Sequence, residues 1–405
     1  MTDLETPVAP ARAGPWPRRA APALLGYAAV RALGLTALAL WSAARDKSAH
    51  QLLTARWDSL WYTRVAEFGY GYEVRLPNGD VHSNLAFFPL LPWLERAVSA
   101  VTPLSYADAG LLISTLASLA AAWGIFAVAD HVYGRRAGVC AVLLWAVLPV
   151  GIVQSMAYSE SLFTALAAWS LYAILTGRWL TAGLLASFAG LTRPVGVAVV
   201  AAVWAAAIAS YVRDSSVVRD VSARDSSVRE RGVPAPDSAP LWRRALGMLF
   251  APLGAAGYVL WVGQHTGQGP LGYLDVQAGW GNGFDGGYAF ARFVADKFTS
   301  FPSALAGLGL IVGVALVIWL YVICVRQGQP LPLLVYAGIV TALALCASSY
   351  FGSKPRLLLP AFPLLLPPAL ALSRLRTSRS AWVLGSVAVV SAVYGAFWLN
   401  GSGPP

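Results

Sequence analysis

The sequence predicts an all-α polytopic membrane protein, and three observations predict it. Only 12% of the 405 residues are charged and 57% are hydrophobic, whereas an ordinary globular domain carries about 25% charged residues. Apolar runs of about 20 residues, enough to cross a hydrocarbon core of about 30 Å, recur along the chain. Basic residues collect in alternate loops, as the positive-inside rule requires. A soluble protein would need a polar surface that this composition cannot make. The net charge of +10 follows from the loop bias and gives no reason to expect a nucleic-acid partner.

Eleven spanning helices are expected, at about 20–42, 107–131, 138–156, 159–176, 179–192, 195–212, 242–263, 302–325, 331–348, 356–373 and 381–399. The fifth and sixth meet at Thr192-Arg193-Pro194, where proline ends one helix and restricts the residue before it. The first run lacks an A-x-A site and exceeds a signal h-region, so it reads as an uncleaved helix. The chain then divides into a cytoplasmic tail 1–19, a module 20–212, a polar loop 213–241, a module 242–399 and a tail 400–405. Two large extracytoplasmic loops follow, 43–106 and 264–301. The loop 213–241 repeats RDSSV at 213–217 and 224–228; with clustered Pro and Ser, it is expected to be disordered. The apolar stretch 85–94, with two prolines and then Glu95-Arg96, fits a re-entrant or interface-lying segment.

With the N-terminus inside, Arg18, Arg19, Arg135, Arg136, Arg178, Arg326, Arg374, Arg376 and seven arginines from Arg213 to Arg244 fall on the cytoplasmic side. The unusual polar positions then share the other face. Three cysteines lie in apolar runs and four histidines are scattered, so neither a disulfide framework nor a zinc spacing is present.

On that outer face TARWDSLWYTRVAEFGY (54–70) reads as an interfacial amphipathic helix. Thr54 is placed to cap it, which puts Asp58 in its first turns, where the helix dipole favours a carboxylate. Asp58 is either a catalytic carboxylate or a structural partner of Arg56. Glu160 is a dipole partner at a helix start or a site residue. Arg193, Lys354 and Arg356 are membrane anchors or phosphate ligands. Arg31 sits mid-span and must face the bundle or a polar cavity rather than lipid.

RWDSLWYTRVAEFGY and NLAFFPLLPWLERAV resemble the opening signature of the PIG-V family, the mannosyltransferases of GPI-anchor assembly with their bacterial relatives. QSMAYSESLFTALAAWSLY, AGLTRPVGVA, VQAGWGNGFDG and KPRLLLPAFPLLL resemble later blocks in the same order. The resemblance implies a GT-C glycosyltransferase bundle of about 11 helices, with an essential Asp in a first extracytoplasmic loop that contains interfacial helices. It implies a polyprenyl-phosphate-linked sugar donor and leaves the acceptor open as a glycolipid, glycan or protein; the Ala- and Arg-rich composition points to a bacterial plasma membrane, and the loop charges put the site on its outer face. Carried over, Asp58 takes the acidic position of the WD motif, and Glu160, Arg193, Gln277, Trp280 and Arg356 occupy positions in later blocks. The roles expected from their chemistry are Asp58 as catalytic base, Arg193, Lys354 and Arg356 on the donor phosphate, and Trp57, Trp61, Tyr62, Glu160, Gln277 and Trp280 on substrate. Many GT-C enzymes carry D-x-D, whereas Asp58 precedes Ser59 and Leu60; no cofactor or metal ligand is assigned, and a divalent metal stays open. Two other readings are a lipid-linked-sugar flippase and a non-catalytic scaffold. A flippase would favour repeats and midplane charges, and no repeat of helix blocks is evident.

Overall fold

A computed structural model describes residues 16–224, 240–348 and 350–401. The expected tail 1–15, the loop segment 225–239 and the tail 402–405 lie outside the described residues. The first long helix, α1 (Trp16–Ala43), leads into a loop that folds on itself. It contains α2 (Ala49–Thr54), α3 (Asp58–Phe68), a hairpin of β1 (Glu73–Arg75) and β2 (Val81–Ser83), and α4 (Leu90–Val101). The hairpin is antiparallel with Val74 opposite His82, and Gly79 makes its turn at φ +92°, a conformation glycine adopts without steric cost. The first half continues through α5 (Tyr106–Tyr133), α6 (Arg135–Ala146), α7 (Glu160–Leu175), α8 (Trp179–Gly190) and α9 (Val197–Arg224). The second holds α10 (Leu241–Phe250), α11 (Leu253–Thr266), α12 (Gly272–Gly279), α13 (Tyr288–Asp296), α14 (Ser303–Arg326), α15 (Leu331–Cys346), α16 (Lys354–Leu357), α17 (Leu366–Arg374) and α18 (Thr377–Asn400).

Each expected span coincides with helical structure, but the lengths differ. Among the described residues, 6 helices, counting α10 and α11 as one, are long and apolar enough to cross a membrane. A seventh is possible only if the segments 351–357 and 362–374, bent by 73°, form one span, and α7, α8 and α15 are shorter apolar helices. Several of the expected spans are short or broken inside the protein. α6 stops at Ala146, and the chain resumes in a 3-10 turn over Gly151–Ser155. Arg31 explains how that break is tolerated: its guanidinium donates to the carbonyls of Ala146 and Gly151. A broken helix frees carbonyls that nothing in a bilayer can satisfy, and the half-buried arginine finds its partners there.

α5 is the central helix, packed on α1, α4, α6 and α7. Elsewhere small residues set the spacing. A Cβ on Gly183 of α8 would run into the carbonyl oxygen of Gly247 on α10, so those backbones touch.

Three local expectations are corrected. Thr54 ends α2 and donates to the His50 carbonyl at 2.8 Å instead of capping α3; Trp57 precedes α3 at φ +49° and Asp58 is its first residue. α9 continues to Arg224, so the first RDSSV copy is helical and the polar loop begins later than its composition suggests. Glu95 does not mark a wet boundary. It lies on the buried face of α4, 1% exposed, where a Cβ on Gly110 of α5 would stand 2.5 Å from its carboxyl. Among the described residues neither oxygen has a hydrogen-bond partner, and burial pushes the carboxyl well above the usual range.

Two predictions follow from this packing. Gly183→Val forces α8 from α10 and costs about 1–3 kcal/mol, the usual range for overpacking; a lowered unfolding midpoint in detergent checks it. A raised folded-state pKa means the native state holds the extra proton, so Glu95 costs stability progressively as pH rises above its unfolded value of about 4.3. Glu95→Gln removes that loss, giving equal or higher stability at mildly alkaline pH and a flatter pH dependence. A lower unfolding midpoint there would contradict a neutral Glu95.

Candidate active site

Five segments assigned to the outer face meet at one cavity of about 490 Å³. Asp58, Glu160, Arg193, Gln277 and Arg356, one from each segment, all line it. Three kinds of surface divide its wall.

The first is ionic. Asp58 and Glu160 each open a helix, α3 and α7, where the dipole stabilises negative charge. Arg193 is held extended before Pro194, and Arg356 projects from α16. Arg193 Nη1 lies 2.5 Å from Glu160 Oε1. Arg356 lies between the carboxylates, with Nη1 2.8 Å from Asp58 Oδ2 and Nε 3.3 Å from Glu160 Oε1. Glu160 is enclosed, whereas the Asp58 side chain keeps 24% exposure. Ser159 ties the cluster to α3: its hydroxyl is 2.7 Å from the Tyr62 hydroxyl and accepts from Arg193 Nη1 at 3.2 Å. Two carboxylates and two guanidiniums sum to zero charge.

The second surface is aromatic. Trp61 stacks on Phe87 at 5.6 Å and meets Trp280 edge-on at 4.9 Å. Trp280 stacks on His82 at 4.1 Å and donates its indole N–H to the Ser83 carbonyl at 2.9 Å. α12 can approach β2 this closely because a Cβ on Gly279 would meet the Val81 carbonyl. Gln277 lines the cavity, but its amide is committed to its own loop and, at 3.4 Å, to the Ala86 carbonyl of the first loop. It accepts from Asn282 Nδ2 at 2.7 Å and donates to Tyr273 Oη at 2.5 Å. The third surface is aliphatic: Val195, Val340, Leu343, Ala344, Leu357 and Pro360.

Lys354 is placed apart from the other two cations. It does not line the cavity; its ammonium donates to the carbonyls of Ala344 and Ala347 at 2.8 Å each. It lies 4.7 Å from the Phe290 ring. Those bonds cap the C-terminus of α15, so its phosphate-binding assignment has no geometric support. Asp58 is not paired with Arg56, which donates to the Leu399 carbonyl at 2.7 Å and covers the Trp57 ring.

Sequence reasoning passed over Ser159, Phe87 and Tyr350, all close to or lining the cavity. Ser159 sat inside the quoted YSES turn and Phe87 inside FFPLLP, so proximity to a named residue was the available signal. Tyr350 shows itself only through its backbone, at φ +51°. Both carboxylates already face arginines. Among the described residues no three His, Cys, Asp or Glu groups converge. We derive no step through a metal.

Removing one member of a buried ion-pair set strands the others, at about 3–5 kcal/mol. Glu160→Gln leaves two guanidiniums with Asp58 alone, and is expected to cost about 3 kcal/mol of stability. Denaturant unfolding in detergent that matches the unsubstituted protein would contradict this.

Residues 84–221 match a family model described as dolichyl-phosphate-mannose-protein mannosyltransferase. That stretch includes Glu160 and Arg193 but neither Asp58 nor Arg356. No curated protein matches the chain in sequence. Among solved structures it is similar to ArnT from Cupriavidus metallidurans bound to undecaprenyl phosphate. The TM-score is 0.51 at 15% identity, over 89% of this chain and 61% of that one. A second likeness, to the apo oligosaccharyltransferase of Archaeoglobus fulgidus, has a TM-score of 0.48 at 13% identity, over 94% and 56% of the two chains; it carries no weight. The chain spans 61% of the ArnT chain, and the likeness is one of fold: this is an all-α polytopic membrane protein whose helical bundle is similar to that of ArnT.

Proposed function

We propose that the protein is an inverting membrane glycosyltransferase. It moves a hexose, mannose in the preferred reading, from a polyprenyl-phosphate-linked donor to an acceptor hydroxyl. The work is done on the outer face of the membrane, and Asp58 is the general base. One observation carries this: a single cavity combines an accessible carboxylate, two guanidiniums, an aromatic wall and an aliphatic wall. Those surfaces suit, in turn, an acceptor proton, a phosphate, a sugar ring and a prenyl tail. The PIG-V-like blocks, the description of the matching family model and the undecaprenyl phosphate bound by ArnT support the donor class.

The acceptor oxygen attacks the anomeric carbon from the face opposite the phosphate, and the bond from that carbon to the phosphate oxygen breaks. The electron pair leaves with the polyprenyl phosphate, and the acceptor proton passes to Asp58. Phosphate leaves without prior protonation, so one carboxylate suffices where a glycosidase needs two. Asp58 must come within about 3 Å of the acceptor hydroxyl. Arg193 and Arg356 hold the charge that develops on the leaving group. Trp61, Phe87 and Trp280 offer faces to the sugar, with Trp57 and Tyr62 at the foot of that wall. Glu160 acts on the donor only through the two arginines it orients.

Asp58→Asn should lower transfer of labelled mannose from polyprenyl-phosphate-mannose in proteoliposomes by about 10²–10⁴-fold, the range typical of a general base, in a protein that is still folded by circular dichroism, with a stability loss smaller than that of Glu160→Gln because Asp58 is partly exposed. Full activity in this variant rejects Asp58 as the base. Translocation of the lipid without transfer by the unsubstituted protein rejects the enzyme.

A further inference from the structure

The geometry points to Arg356 as a latch on Asp58 that the lipid phosphate of the donor opens, so that the base becomes available only after the donor is seated. This rests on the glycosyltransferase reading and adds an order of events to it. Arg356 stands within ion-pair distance of both Asp58, at 2.8 Å, and Glu160, at 3.3 Å. Neither approach is aligned as a hydrogen bond. Among the described residues, buried Nε and Nη1 of Arg356 have no hydrogen-bond partner. A guanidinium lining a cavity, held by ion pairs but by no aligned hydrogen bond at these two nitrogens, can exchange one carboxylate for an acceptor with oxygens spaced for its fork, and phosphate supplies them.

The two carboxylates are not equal rivals for that ligand. Glu160 is 1% exposed and also bound to Arg193, so it is fixed. Asp58 is at the open side, with 24% of its side chain exposed. The Tyr158 ring lies beneath the guanidinium at 5.1 Å, a face on which the guanidinium can turn without losing contact.

Charge explains why Asp58 is the group released. The four ionised side chains cancel, so a singly charged phosphodiester leaves the site with one negative charge in excess. When Asp58 takes the acceptor proton it becomes neutral and the departing phosphate becomes a dianion, so the excess moves onto the phosphate, where the two guanidiniums face it. Donor binding thereby frees the carboxylate from Arg356 and supplies a reason for it to accept a proton. Without donor, Arg356 holds Asp58 and the acceptor is not activated.

The latch makes Asp58 a competitor of the lipid phosphate, a consequence that a phosphate ligand or a metal bridge would not share. The test is binding of undecaprenyl phosphate, without sugar, to the full chain in nanodiscs at low salt, followed by microscale thermophoresis. Asp58→Asn, and equally Asp58→Ala, should tighten binding about three- to tenfold by removing a half-exposed competing charge. Arg356→Gln should weaken it, and in that background Asp58→Asn should have no effect, the signature of coupling through one residue. Unchanged or weaker binding by both Asp58 variants overturns the latch. If unsubstituted protein transfers mannose but the variants bind no tighter, the latch alone falls. If it neither binds the lipid phosphate nor transfers sugar, the functional reading falls with it.

Discussion

Mutual cancellation among Asp58, Glu160, Arg193 and Arg356 is the constraint on which the site depends. Each group was drawn from a different segment, and none is tolerable alone in a largely dehydrated corner, where an unpaired buried charge costs several kcal/mol. The first loop, the start of α7, the α8–α9 link and α16 must therefore meet for any of them to be stable. Packing and charge reinforce each other here. The cluster depends on the bundle to bring it together, and the bundle is held in register by the cluster.

The polar residues stand where helices begin or break. Asp58 and Glu160 take first positions, Arg193 precedes a proline, and Arg356 lies in a helix of 4 residues. An uninterrupted span presents only side chains to its surroundings, whereas a break exposes backbone donors and acceptors that membrane lipid cannot satisfy. The protein meets that requirement with side chains, as Arg31 does at the end of α6. Broken helices are therefore the means by which polar chemistry is brought into an apolar chain.

Much of this was legible in the sequence. Composition and run length gave the membrane class, and the loop bias gathered Asp58, Glu160, Arg193, Gln277 and Arg356 onto one face before any contact was known. What the sequence could not carry was pairing. Nothing in RWDSL says that Asp58 meets a residue almost 300 positions away rather than Arg56 beside it. Nor does KPR distinguish its two cations. The hairpin carries a turn signal in PNG, but its strands of 3 residues each are too short for an alternating pattern to show. Nor does the pair Glu95-Arg96 announce that α4 turns the acid inward while Arg96 reaches the Glu67 carbonyl.

The placement of Lys354 has a consequence for how substitutions in KPR should be judged. Its three donors spread over carbonyls at the end of α15 and the ring of Phe290, a task for a compact tetrahedral head. Two residues on, Arg356 serves two carboxylates with a flat fork. A single exchange of Lys and Arg at either position keeps the charge and defeats the shape. The motif is thus a peg followed by a reader, and a homologue that swaps them has changed its architecture at one position and its ligand contacts at the other.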